Sequence, residues 1–335
     1  MDIRHFIGID VSKNTLDWAV YANQGIIWKT QSENSPVAIR LVVKQLQALP
    51  NFQIPHCVCC LEHTGIYNAH ALEVLFKAQF PVWLEASLQI KQASGLQRGK
   101  SDCIDAQRIA EYACRFRDQI RLWQPPRPAL KKLAELSRLR QRLLGMLSQL
   151  RVPLAEQKRF GDKTLTAQLG HHCKGSLAAL TNDLNEVEKA IKVLISGDDI
   201  LKNLFALTTS IPGIGLIVAT EIIVATNEMK AITDPKKLAC HAGVAPFEHS
   251  SGSSVRRKTR VNHQARKSLK TLLHMAAMSA LQVKGELQVY YQRKVGEGKN
   301  KMLVINAVRN KLIHRVYAVV KRGEKYDKFY PLSLA

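Results

Sequence analysis

Four carboxylates in this chain have the spacing for phosphodiester chemistry: Asp10 in FIGIDVSK, Glu62 in CLEHTG, and Asp102 with Asp105 in GKSDCIDA. Each falls where a strand or turn is predicted to end. Asp102 and Asp105 are three apart at a predicted helix start, so both side chains share one helical face. Carboxylates gathered in this way repel one another unless a cation lies between them. Hard oxygen ligands select Mg²⁺ or Mn²⁺, and the natural work of such a cation is on a phosphodiester.

The elements that must position these acids follow from pattern. RHFIGIDV reads as a buried strand, and TLDWAVYA and IIWKTQ as a hairpin about Asn23-Gln24-Gly25. Residues 35–49 read as a helix with Ser35 as N-cap and Pro36 at its first position. HCVCCLE and PVWLEA are further strands, and IYNAHALEVLFKAQ and DCIDAQRIAEYACR are helices. The expected result is a mixed sheet with helices on both faces. Its edge carries Asp10, Glu62 and the Asp102–Asp105 pair. Glu85, after PVWL, is another strand-end carboxylate and is expected to be supporting or structural.

Charge sets the partner. The 335 residues carry a formal charge of +22, and 46% hydrophobic content makes the chain globular rather than disordered. Residues 256–328 hold 19 Lys and Arg against 4 Asp and Glu. That excess calls for a polyanion. No apolar run approaches the roughly 20 residues that span a bilayer, and no signal peptide is read at the start. No membrane association is expected. The seven cysteines are odd in number, which suits a reduced, cytoplasmic setting. His56, Cys57, Cys59 and Cys60 lie too close in sequence for a tetrahedral zinc knuckle. His171, His172 and Cys173 lack a fourth ligand.

WQPPRP at 123–128 marks a boundary. Beyond it, Leu136, Leu143, Leu147, Leu150 and Leu154, then Leu177, Leu180, Leu184, Val187, Ile191 and Leu194, keep coiled-coil spacing. A helical hairpin is expected, with a polar, glycine-containing loop at 160–175. Further on, Pro212-Gly213-Ile214-Gly215 lies between two short helices. Gly213 and Gly215 there suit helix-hairpin-helix contact with a phosphate. SSGSS then precedes Arg256, Arg257, Lys258 and Arg260. A helix is expected near Asn262, with Arg266, Lys267 and Lys270 in its first turns. Cations at a helix N-terminus oppose the macrodipole, which suggests an outside anion.

FIGIDVSK, LEHTG and SDCIDAQRIA resemble the DEDD motif of insertion-sequence transposases related to the pilin-gene inverting recombinase. SIPGIG, LACHAGVAPFEHSSG and the basic stretch after it resemble that family's C-terminal transposase domain. The resemblance runs through nearly the whole chain in order. It implies an α/β RuvC-like domain of ribonuclease H fold over 1–122, an α-helical coiled-coil hairpin over 123–200, and a mainly α transposase domain over 201–335. It assigns the acidic tetrad to Asp10, Glu62, Asp102 and Asp105. Its AP-four-SG pattern gives Ser251 the nucleophile role, with Ser250 adjacent. It also implies donor and target DNA, a structured guide RNA and a homo-oligomer, dimer or tetramer, in a bacterial cytoplasm. Two rival readings are a Holliday-junction-type nuclease using activated water, and a nucleic-acid-binding protein with a degenerate nuclease fold.

Overall fold

The structure is a computed structural model. It describes residues 2–93, 102–251, 255–261 and 265–327; at 102–103, 248–251 and 255–260 the description is of the backbone alone. The chain divides into two compact units, Met1–Pro125 and Pro126–Ala335. The division falls inside the Pro-rich segment.

The first unit is built on a five-stranded sheet. Strands β1 (His5–Val11), β2 (Thr15–Ala22) and β3 (Gly25–Glu33) form an antiparallel meander. Asn23 and Gln24 both take positive φ, 50° and 66°, in the two-residue turn whose twist matches the flanking strands. Helix α1 (Pro36–Gln47) begins as its sequence dictates: the Ser35 hydroxyl accepts from the Ala38 N–H, and Pro36 occupies the first turn. Strand β4 (Cys57–Glu62), helix α2 (Ala69–Lys77), strand β5 (Val82–Glu85) and helices α3 (Ser87–Ala93) and α4 (Asp102–Arg115) follow. The strand order is β3-β2-β1-β4-β5, with β1, β4 and β5 parallel.

Strand alternation sends side chains to two cores. Ile7, Ile9, Cys57, Cys59, Leu61 and Val82 pack with Ile39, Leu46 and Leu75 of α1 and α2. Phe6, Val58, Cys60 and Trp83 take the other face, with Ile109, Tyr112 and Ala113 of α4. The cysteines of HCVCC are therefore buried and split between faces.

The second unit opens with a helical hairpin, α5 (Pro128–Phe160) and α6 (Lys163–Ser196). The expected loop at 160–175 is instead the two residues Gly161 and Asp162. Asp162 caps α6 by accepting from the Leu165 N–H at 2.8 Å. Gly170 and Gly175 lie inside the helix in open surroundings, where each costs only about 1 kcal/mol relative to alanine. Leu130, Leu133 and Leu143 pack with Val187, Ile191 and Ile195 across the hairpin. Helices α7 (Asp199–Thr209), α8 (Leu216–Ala225) and α9 (Pro235–His241) follow.

A β-hairpin, β6 (Pro246–Ser251) and β7 (Val255–Val261), follows, a pair of strands that the sequence pattern did not announce. Helix α10 (Lys267–Gln282) starts five residues later than the Asn262 expected for it. Helices α11 (Glu286–Gly296) and α12 (Lys301–Arg322) complete a core of α7 to α10 and α12 residues that includes Ile222, Leu238, Leu273, Ala277 and Leu312. Among the described residues, no helix is long and apolar enough to cross a membrane.

Candidate active site

Register aligns the acids of the first unit. Ile9 pairs with Leu61 in the parallel β1–β4 ladder, so Asp10 neighbours Glu62. Glu62 pairs with Glu85 across β4–β5, and Asp10 pairs with Asp17 across β1–β2. Directly paired residues share a face, so one carboxylate from each of four neighbouring strands forms a row. By alternation it lies on the face that carries Phe6, Cys60 and Trp83, the α4 face.

Helix α4 brings the remaining pair. A Cβ at Gly8 would meet the Ala106 carbonyl oxygen at 2.1 Å and the Ala110 nitrogen at 2.3 Å, so the helix lies directly on β1. Glu111, Cys114 and Arg115 share a hollow with Tyr21, Gln24, Gly25 and Ile26, at the sheet end opposite Asp10. The α4 N-terminus, with Asp102 and Asp105, therefore points to the Asp10 end. Asp102 opens the helix, but its side chain lies outside the described residues. The Asp105 carboxylate accepts from Arg108 Nη1 at 2.8 Å.

The surroundings are built to hold these acids. Asn68, almost fully buried, donates to the Glu62 carbonyl at 2.7 Å and accepts from the Thr64 N–H and hydroxyl. That fixes the turn after β4. Burial, then the Glu85 charge, push the Tyr112 phenol up to about 12. Burial, then the Glu85 and Glu62 charges, push the Cys60 thiol well up. Asp17 is buried, and Gln31 donates to both its oxygens at 3.1 and 3.2 Å. Sequence reading passed over Asp17. Its signal was a lone acid inside TLDWAVYA, a strand otherwise buried at nearly every position.

By donor type, Asp10, Glu62 and Asp105 suit a hard divalent cation. Among the described residues, no three carboxylate, imidazole or thiol groups stand close enough to hold one together. The Asp102 side chain, one of the four expected ligands, falls outside that set.

The second unit holds the other candidates. Ser251 ends β6 opposite Val255, and Ser250 pairs with Arg256. Both serines thus lie at the hairpin tip. Arg256, Arg257, Lys258 and Arg260 all lie on β7. Arg266, at the N-cap of α10, is committed inward. Its Nη2 meets the buried Glu221 carboxylate at 2.7 Å, and its N–H donates to the His241 carbonyl at 2.9 Å. Lys267 is exposed and Lys270 half-buried in the first turn of α10.

The two glycines of PGIG differ. Gly213 has φ 90°, and a Cβ there would meet the Ala276 carbonyl at 2.4 Å, so its glycine is needed for packing on α10. Gly215 stands at the N-cap of α8 with open space around it.

Comparison with known proteins identifies two regions. Residues 7–156 match the DEDD transposase family of IS110 type, and residues 206–292 match the transposase IS116/IS110/IS902 family. A pilin gene-inverting protein of Moraxella bovis is 26% identical over 96% of this chain and 98% of its own. Its counterpart in Moraxella lacunata is 25% identical with the same coverage. An insertion element IS116 protein of Streptomyces clavuligerus is 24% identical over 73% of this chain and 77% of its own. Among solved structures, a T. thermophilus RuvC in complex with Holliday junction substrate aligns with 33% of this chain and 94% of its own. It is 19% identical with a TM-score of 0.25, too low to carry an argument.

Proposed function

This chain belongs to the IS110/IS116 family of transposases, and from that premise we propose a recombinase that cuts and rejoins DNA through a serine–DNA linkage. The observation that carries the reading is the acidic row. Asp10 and Glu62 lie side by side near the ends of adjacent strands, on the face covered by α4, whose N-terminus bears Asp102 and Asp105. This is the RuvC-like arrangement that the family resemblance implies.

Asp10, Glu62, Asp102 and Asp105 would hold a divalent cation, Mg²⁺ or Mn²⁺. When bound, it supplies charge neutralisation at the scissile phosphate. The protein's residues do the rest. Asn68 keeps the Glu62 strand end in place, and Gly8 admits α4 close enough to bring its N-terminal acids to the sheet.

Ser251 supplies the nucleophile. Its Oγ forms a bond to phosphorus in line with the leaving sugar oxygen. The phosphorus–oxygen bond to that sugar breaks, and the serine proton passes to the departing hydroxyl. The phosphoserine diester conserves the bond energy, so attack by a free strand end reverses the step and rejoins DNA. Arg256, Arg257, Lys258 and Arg260 are the cations that hold strand phosphates beside the serine. Donor and target DNA are the substrates, a structured RNA directs their choice, and subunits pair to exchange strands. These three features rest on the resemblance; the pilin gene-inverting relatives support recombination of DNA segments.

The test is cleavage of supercoiled DNA by Asp10→Asn and Asp102→Asn in Mg²⁺. Both variants should lose cleavage and keep nucleic-acid binding, because the basic residues are untouched. Cleavage at the wild-type rate in either would remove that residue from the site.

A further inference from the structure

Several half-buried arginines of the second unit are neutralised within the protein. Arg127 holds Asp198 and Glu228, Arg140 holds Glu188, Arg266 holds Glu221, and Arg315 holds Glu286. Arg309, on α12, is more buried than any of these, at 7% exposure, and has no carboxylate partner among the described residues.

Its contacts are all uncharged. Nη2 donates to His274 Nδ1 of α10 at 2.6 Å, and Nη1 reaches the Asn306 amide oxygen at a long 3.4 Å. Nε is buried with no hydrogen-bond partner. Burial pushes the guanidinium below its ordinary value, and among the described residues no opposing charge offsets it. Burial and the Arg309 charge hold the His274 imidazole down, which suits an Nδ1 that accepts. A cation removed from water without a counter-ion costs several kcal/mol, and an apolar side chain would fill the space at less cost. Such an arrangement is reconciled by an anion from outside.

Two features say which anion and by what route. Met302 touches the guanidinium from the surface side: its sulfur is 3.9 Å from Nη2, and the residue is 57% exposed. A flexible thioether swings aside at little cost. The position also continues the basic surface. Lys270 lies one turn before His274 on α10, and the Asn306 amide donates to the Val244 carbonyl at 2.8 Å, two residues before β6. Arg309 thus stands at the foot of the hairpin that carries Ser251 and four basic residues.

We propose that Arg309 is a phosphate-binding residue, taking a backbone phosphodiester of the bound nucleic acid between α10 and α12 after Met302 moves away. The assignment rests on the reading of this unit as nucleic-acid-binding and extends its surface to a buried anchor. A planar fork with free donors suits two phosphate oxygens better than a lysine would.

The experiment is the salt dependence of binding to short duplexes of unrelated sequence, for the full-length wild type, Arg309→Met and Arg256→Ala. Arg309→Met should lower the log–log slope by about 0.9, the contribution of one phosphate, and weaken every duplex alike. A wild-type slope and affinity in Arg309→Met, with a reduced slope in Arg256→Ala, would overturn the Arg309 site and leave the basic hairpin standing. Wild-type binding with no salt dependence would remove both.

Inorganic phosphate at constant ionic strength should compete with duplex for the wild type more than for Arg309→Met. Phosphate that binds at Arg309 without being displaced by duplex would assign the site to a free anion and overturn the proposal. If Arg309→Met does not fold, Arg309→Lys decides. It should keep the slope and lose several-fold in affinity, and undiminished affinity would overturn the site.

Discussion

A Cβ at position 8 would stand 2.1 Å from the carbonyl oxygen of Ala106. Strand β1 and helix α4 touch backbone to backbone at that point, and the contact sets the distance between Asp10 and the acids that open the helix. Gly8→Val should therefore move α4 off the sheet. Overpacking of this kind costs about 1–3 kcal/mol, read as a lower thermal midpoint, and cleavage should fall by more than the folded fraction explains. Full cleavage with an unchanged midpoint would show that α4 is placed by other contacts.

Much of this site was legible because local signals and tertiary demand agreed. Ser35 and Pro36 start α1 as read, and α4 spans the segment read for it, with Asp102 first. The unread parts lacked an apolar signature. VRRKTRV has almost no hydrophobic side chain within it, and β6 runs into SSGSS, so neither strand of the hairpin shows the alternation that marks a buried face. The start of α6 was hidden because Gly170, His171, His172 and Gly175 look like loop, whereas the Asp162 cap carries the helix through them. Asp17 was missed because its partners, Asp10 and Gln31, are neighbours only after the sheet forms. The seam residues Leu184 and Ile191 pack inside the hairpin of a single chain, so substitution there disturbs that hairpin before it reports on assembly.

Glu221 ties the root of the β6–β7 hairpin. The carboxylate is 1% exposed and meets Arg266 at 2.7 Å, with Ser268 and Ser137 each at 3.2 Å. Glu221→Ala leaves Arg266 without its acid and two hydroxyls without their acceptor. The expected loss is about 2–3 kcal/mol, below the usual range for a buried pair because Arg266 is partly in water. Urea unfolding measures it. A change under half a kilocalorie would mean that the network is replaced by solvent.

Asp198 gives the second unit an acid-sensitive joint. Hydrogen bonds from Arg127, then from the Leu201 N–H, hold its carboxyl down at about 2 against an ordinary 3.8. A carboxyl depressed in the folded state stabilises fully above its unfolded value, and that contribution is lost as pH falls through the folded value. Wild-type stability should therefore decline between about pH 4 and pH 2. Asp198→Asn keeps the helix cap but cannot lose a charge, so its decline over that window should be shallower. Equal slopes would show that other carboxylates govern acid unfolding.

The nucleophile is the centre of the account, and its direct measurement is the covalent bond. A DNA substrate nicked beside the cleavage position should trap the protein–DNA intermediate, and digestion with mass spectrometry should find the nucleotide on the peptide containing Ser250 and Ser251. The account predicts fragmentation that puts the phosphate on Ser251, no adduct from Ser251→Ala, and a near-normal adduct from Ser250→Ala. An adduct on Ser250, or cleavage by Ser251→Ala with no adduct in the wild type, would contradict it.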